Sequence, residues 1–376
     1  MKIGILTMPQ KSNYGGLLQA YALQTVLLSL GHNVEILQRD YPQKNLSLKD
    51  KIIKCLLPIF YKVRGKSFPV LTDREIEIIS KNTNAFSNKY LIRSPHFEKT
   101  EDLKKYCEGN GFEGYVVGSD QVWRPAYCPS LNDYYLGFTE KKSVKRLTYA
   151  ASFGVDQWEY TSDETQMCRN LIKQFDAVGV REDSAIKLCS QNLKVRAQHV
   201  LDPTMLLNAE DYMSIALSDN SKLSGGQLFY YILDKSHEKQ AIIESISKSL
   251  NYQNFACMPE PAYRGQVCGG DSKYVYPSPA QWIRSFMDAE MVVTDSFHGT
   301  VFSIIFNKPF WVLGNLRRGN TRMESLLRMF KLEHRLIDSN EVGTIDWYET
   351  IDWNQVNDIR QKLQKKSIEF LTENLC

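Results

Sequence analysis

MKIGILTMPQKSNYGGLLQAYALQTVLLSLGHNVEIL, residues 1–37, is the stretch that decides the fold class. Lys2–Met8 is a short apolar run of the kind carried by buried strands. Leu17–Gly31 sets Leu17, Tyr21 and Leu28 on one face of a helix, and Asn33–Leu37 is strand-like again. Strand, helix and strand in close succession form a βαβ unit, which calls for a parallel sheet. Tyr115–Val117, Leu147–Ala151, Ala177–Val180 and His199–Leu201 continue the strand series. A second series follows: strand Leu228–Leu233, helix Glu238–Leu250, strand Asn254–Met258, helix Pro279–Ala289, strand Met291–Val293, a helix from Gly299, and strand Phe310–Leu313.

A chain of 376 residues is long for one core. The expectation is therefore two Rossmann-like, doubly wound α/β domains, at 1–215 and 226–376. Ser218–Gly226 (SDNSKLSGG) is the most linker-like stretch between them. Residues 41–100 read as a basic insertion in the first domain. Between Tyr41 and Val70 they combine lysines and arginines with the apolar run 52–60. That mixture suits a helix lying at an anionic membrane surface, although packing of Leu56, Leu57, Ile59 and Phe60 on the domain explains it better, and Pro58 limits any helix to about two turns.

A net charge of +3 is too weak for a nucleic-acid binder, and no such motif is present. The eight cysteines show no C-x-x-C and no metal-ligand spacing, so they read as reduced thiols, with no metal site expected. MKIGILTM is too short and strand-like for a signal peptide, and no apolar run reaches membrane-spanning length. A cytoplasmic protein is expected, with peripheral contact at the inner membrane face as an option.

Doubly wound sheets bind ligands beyond the carboxyl ends of their strands, and the polar clusters of this chain fall there. Asn13, Tyr14, Gly15 and Gly16 stand at a helix start, where paired glycines let a ligand approach exposed N–H groups; a tight turn needs them as well. Ser119, Asp120, Gln121 and Trp123 combine an acid, an amide and an indole, the surface a sugar prefers, unless Trp123 is core. Arg181 ends a strand and suits a carboxylate or phosphate, unless it pairs with Glu182 or Asp183. Asp202-Pro203-Thr204 reads as a turn with a helix cap.

In DSFHGTVFSIIF, residues 295–306, a histidine stands where a strand gives way to a helix. There His298, with Ser296, Gly299 and Thr300, can hold an anion while helix N–H groups share the charge. It can also exchange a proton near neutral pH. The loop carrying Arg317, Arg318 and Arg322 looks suited to clamp a small polyanion.

NYGG at 13–16, VVGSDQVW at 116–123, YAASFG at 149–154, VREDS at 180–184, LDPT at 201–204 and DSFHGT at 295–300 occur in order along the chain. Together they resemble the polysaccharide pyruvyl transferase family. The resemblance implies a GT-B-like arrangement with the active site in the interdomain cleft, the acceptor on the first domain and the donor on the second. It implies pyruvyl transfer from phosphoenolpyruvate, as co-substrate and without further cofactor, to a sugar hydroxyl pair. The product would be a ketal in a bacterial capsular or exopolysaccharide, on a sugar or lipid-linked oligosaccharide acceptor. It aligns the family histidine with His298 and a family arginine with Arg181. Where some members place a lysine after the histidine helix, this chain has Arg317, Arg318 and Arg322.

The chemistry requires cations for two anionic groups, an acid for C3 of the enol and a base for the hydroxyls. His298 is the candidate acid, and Asp120 or Asp295 the candidate base. A nucleotide-sugar-dependent GT-B glycosyltransferase and a catalytically silent carbohydrate-binding protein remain as alternatives.

Overall fold

Seven parallel strands make the first sheet: β1 (Lys2–Leu6), β2 (Asn33–Arg39), β3 (Arg93–Phe97), β4 (Gly114–Val117), β5 (Lys145–Ala151), β6 (Ala177–Val180) and β7 (Gln198–His199). Their order across the sheet is β3-β2-β1-β4-β5-β6-β7. The second sheet holds β8 (Leu228–Tyr231), β9 (Asn254–Ala256), β10 (Met291–Thr294), β11 (Phe310–Leu313) and β12 (Leu336–Ile337), in the order β12-β11-β10-β8-β9, again all parallel. This computed structural model describes residues 1–9, 12–42, 70–139, 143–267, 272–314, 320–337 and 345–375.

Helices α1 (Tyr14–Ser29), α2 (Asp73–Ile79), α3 (Lys81–Tyr90), α4 (Thr100–Gly109), α5 (Leu131–Tyr134), α6 (Ser162–Ile172), α7 (Asp183–Leu188) and α8 (Ala209–Ser218) accompany the first sheet. The second carries α9 (His237–Leu250), α10 (Pro279–Asp288), α11 (Phe297–Ile305) and α12 (Thr321–Phe330), and the chain closes with α13 (Trp353–Leu375). The inner strands β4, β10 and β11 are buried along their whole length because helices cover both faces of the sheets, which is why they read as apolar runs and not as alternating patterns.

Two outcomes differ from the sequence reading. Arg93–Phe97, counted within the basic insertion, is the edge strand β3, paired in parallel with β2. The apolar–basic stretch at 43–69, on which the membrane reading rests, lies outside the described residues. The closing helix α13 also returns to the first sheet: Phe370 lies 6.2 Å from Tyr149, and Ser367 Oγ accepts a hydrogen bond from Leu201 N.

The two sheets share an apolar interior. Tyr14 on α1 stacks on Trp282 of α10, with ring centres 5.6 Å apart, and Tyr212 of α8 meets Phe302 of α11 at 4.8 Å. Burying such rings removes on the order of 150–250 Å² each from water, enough to seat the two units firmly against one another. Among the described residues, no helix is long and apolar enough to cross a membrane.

Candidate active site

A doubly wound sheet opens a crevice where successive connections leave in opposite directions. In the first sheet that point lies between β1 and β4, and in the second between β8 and β10. The two openings face each other. Asn13 after β1 and Asp120 and Gln121 after β4 meet Leu233 after β8 and Asp295–His298 after β10 around a cleft of about 520 Å³, with Arg322 and Met323 of α12 completing the wall.

Helix α11 begins at Phe297, two residues before the expected Gly299, because Ser296 is its N-cap and accepts from Gly299 N at 3.4 Å. Thr300 Oγ1 bonds back to Ser296 O, so Ser296 and Thr300 hold the first turn. Gly299 is required by packing, since a Cβ there would collide with Thr294 Oγ1. His298 is thereby fixed at the helix start with its ring across the interface on Gly15, where a Cβ would overlap Nδ1. The paired glycines of NYGG therefore serve, at Gly15, to admit the imidazole of the other domain. Tyr14 is buried against Trp282, and its hydroxyl donates to Pro277 O. Asn13 alone of that motif lines the cleft.

Three charged groups support His298. Arg181 donates through one terminal nitrogen to Asp120 Oδ1 at 3.0 Å and through the other to Asp202 Oδ2 at 3.1 Å. Its side chain is 1 % exposed, so it binds carboxylates beneath the cleft and does not face a donor in the cleft. Its partners are also not the Glu182 or Asp183 weighed from sequence. His298 Nε2 stands 3.7 Å from Asp202 Oδ2, and no hydrogen-bond partner reaches this buried nitrogen. Asp202 is the candidate site residue that sequence reasoning missed. It does cap a turn, accepting from Thr204 N and Oγ1, but its second oxygen serves Arg181 and His298. The position of LDPT at a strand end was the available signal.

Burial pushes the Asp202 carboxyl up, but His298, Arg181 and Thr204 outweigh it and hold the group well below the usual carboxylate range. Asp120 behaves alike: burial raises it, and Arg181, His298 and Arg322 bring it below its ordinary value. Asp120 also sits at φ 78°, a left-handed conformation that Asp tolerates better than most residues.

Ser119 is buried beneath it, donating to Gln19 Oε1 at 3.0 Å, in a chain with Thr7 that braces the turn. Trp123, expected at the sugar surface, is instead fully buried. It stacks on Tyr135 at 5.0 Å and donates from Nε1 to Tyr134 O, because the turn after Asp120 folds it back into the first domain's core. Asp295 is engaged as well, accepting from Leu233 N at 2.6 Å, Asp234 N at 3.1 Å and Lys239 Nζ at 2.6 Å. With its side chain sealed, it orders the loop after β8 and is a poor candidate base.

Among the described residues, Arg322 is the arginine that lines the cleft. Its Nε is buried without a hydrogen-bond partner, and its guanidinium lies 6.0 Å from the centre of the Phe297 ring, which Arg181 also covers at 4.6 Å. Burial and the neighbouring Arg181 charge lower its pKa from 12.5 to about 10. Arg317 and Arg318 lie outside the described residues. Among the described residues, no group of His, Cys, Asp and Glu side chains is arranged to hold a metal ion.

The family model described as polysaccharide pyruvyl transferase matches residues 13–317, an interval that includes Asn13, Asp120, Asp202 and His298. No curated protein matches the chain. Among solved structures, UDP-GlcNAc 2-epimerase from Methanocaldococcus jannaschii is similar at TM-score 0.51 and 12% identity, over 96% of this chain and 99% of its own. Arabidopsis thaliana UGT89C1 complexed with quercetin is similar at TM-score 0.51 and 10% identity, over 100% and 99%. UDP-GlcNAc 2-epimerase from Neisseria meningitidis bound to UDP-GlcNAc gives 0.51 and 9%, over 100% and 99%. At such identities the likeness is one of fold: two Rossmann-like domains in a GT-B-like arrangement, with a cleft between them.

Proposed function

The chain belongs to the polysaccharide pyruvyl transferase family, and from that premise we propose that it transfers a pyruvyl group from phosphoenolpyruvate to a pair of sugar hydroxyls. One observation carries the donor assignment. Arg322, a cationic fork with its Nε unsatisfied, faces the same small cleft as His298, whose Nε2 also lacks a hydrogen-bond partner. A buried donor left unpaired is costly, and an anion with several oxygens relieves it.

In this reading Arg322 and the start of α11 hold the carboxylate and phosphate of the enol. His298 delivers a proton to C3, making it a methyl group while cationic character develops at C2. Asp120, kept ionised, faces that carbon and orients the incoming hydroxyl; its depressed pKa makes it a better electrostatic stabiliser than a base. The first hydroxyl adds to C2, and its proton returns to His298. The second hydroxyl displaces phosphate, closes the ketal, and its proton leaves with the phosphate. Asp202 keeps the imidazole in place throughout.

The test is incubation with phosphoenolpyruvate and a panel of sugars and lipid-linked saccharides, following phosphate release and the mass of the product. Phosphate release coupled to a pyruvylated sugar is expected. Sugar transfer from a nucleotide sugar, without turnover of phosphoenolpyruvate, would replace this reading with the glycosyltransferase one.

A further inference from the structure

With Tyr14, Ser119 and Trp123 buried, Asn13, Asp120 and Gln121 are what the first domain offers the cleft among the described residues. A polysaccharide unit needs more surface than that. A second groove, of about 850 Å³, runs on from the cleft and shares Leu233 with it. Its walls come from both domains: Ile79 at the end of α2 from the first, and Pro259, Pro261, Ala262, Tyr274 and Tyr276 from the second, with Lys235 and Glu260 at the edge.

The groove is built firmly. Tyr276 N donates to Ile79 O at 2.8 Å, Asn82 Nδ2 donates to Tyr276 O at 2.8 Å, and Gly265 N donates to Glu75 Oε1 at 2.6 Å, so Gly265 and Tyr276 are each pinned across the domain boundary. Two half-buried tyrosines and prolines give flat apolar faces, and Lys235 and Glu260 stand exposed at the rim. Flat faces with polar groups around the edge match a sugar ring, whose C–H face is apolar and whose hydroxyls project sideways. A continuous apolar wall would suit a hydrocarbon chain better, but here charged groups of both signs interrupt it.

We infer that this groove is an acceptor subsite for the saccharide unit linked to the sugar being modified, with Tyr274 as its principal platform. The inference rests on the pyruvyl-transfer reading for what happens in the cleft, but not for the groove's own binding chemistry.

The test uses saturation-transfer NMR and titration with cellobiose, lactose and chitobiose against glucose, galactose and N-acetylglucosamine. It compares wild type with Tyr274→Ala, which removes the platform, and Ala262→Trp, which fills the groove. Wild type is expected to bind at least one disaccharide roughly threefold to tenfold more tightly than its monosaccharide, and both variants to lose that margin. The margin surviving in both variants, or no disaccharide exceeding its monosaccharide in wild type, overturns the subsite. Stabilisation by phosphoenolpyruvate is read in the same samples and should be unchanged in both variants. Its absence in all three proteins would count against the donor reading and leave the groove standing.

Discussion

Replacing Arg322 by glutamine should make the free protein more stable while abolishing its response to phosphoenolpyruvate. Burial and Arg181 lower the Arg322 pKa from 12.5 to about 10, even after the favourable fields of Asp120 and Glu182. A base whose folded-state value is lowered is held charged at a cost below that value, and the cost fades only as pH rises through it. At 2.3RT per pH unit the difference corresponds to about 3 kcal/mol at neutral pH. Because the side chain is partly open to the cleft, solvent screening reduces this to about 1–2 kcal/mol. Arg322→Gln removes the charge and keeps polar groups for the surroundings, so the free protein should melt about 1–3 °C higher.

The liganded comparison runs the other way. At a hundredfold excess over Kd, phosphoenolpyruvate should stabilise wild type by about 2.7 kcal/mol. Losing a charge-assisted fork of hydrogen bonds should erase most of that in the variant. Differential scanning fluorimetry with and without phosphoenolpyruvate at neutral pH reads both signs. Arg322→Lys is the control: it keeps the charge and its cost, but lacks the fork and should recover only part of the ligand response. An Arg322→Gln protein that melts lower than wild type would refute the strained-cation argument, and one that keeps its phosphoenolpyruvate shift would refute the donor assignment.

His298→Ala should still fold and lose turnover by roughly 10²-fold or more, measured as phosphate release, with ligand-free melting somewhat lower because Asp202 loses a buried partner. Gly15→Ala places a Cβ where His298 Nδ1 lies and should lower kcat about tenfold or more while leaving phosphoenolpyruvate stabilisation largely intact; unchanged kcat would show that the ring has room to move. Asp202→Asn weakens the hold on both Arg181 and His298, so kcat should fall and Tm should drop, and a loss confined to donor KM would contradict the positioning role. On the pH axis, Asp120 is held below its ordinary value, so its contribution is complete above about pH 5 and is lost as pH falls through the folded value. The stability difference between wild type and Asp120→Asn should therefore be constant from pH 7 to about 5 and shrink below about 4; a difference that grows on acidification has the wrong sign for this account.

The elements readable in the sequence were those whose signal is local. Val116, Val178, Val292 and Val312 sit in strands covered on both faces, so their burial shows as an uninterrupted apolar run whatever lies above or below them. His298 was readable for a related reason: a serine N-cap after a buried strand sets the start of a helix, and a helix start in a parallel sheet faces the crevice. What local pattern does not contain is which partner arrives from far along the chain. Asp202 looks the same whether it only caps Thr204 or also holds Arg181 and His298, since the cap occupies one oxygen and the sequence is silent on the other. Trp123 stands three residues beyond Asp120 in either case, and only the path of the turn sends it inward to Tyr135. Gly15 shows the limit most plainly. Its helix-start position suggested an open approach for a ligand, and the approach is real, but the group that takes it is an imidazole 283 positions away. The candidate site is therefore a property of the interface: neither domain holds His298 in place by itself, so changes that loosen Tyr14 from Trp282 should lower turnover through Gly15 before they unfold either sheet.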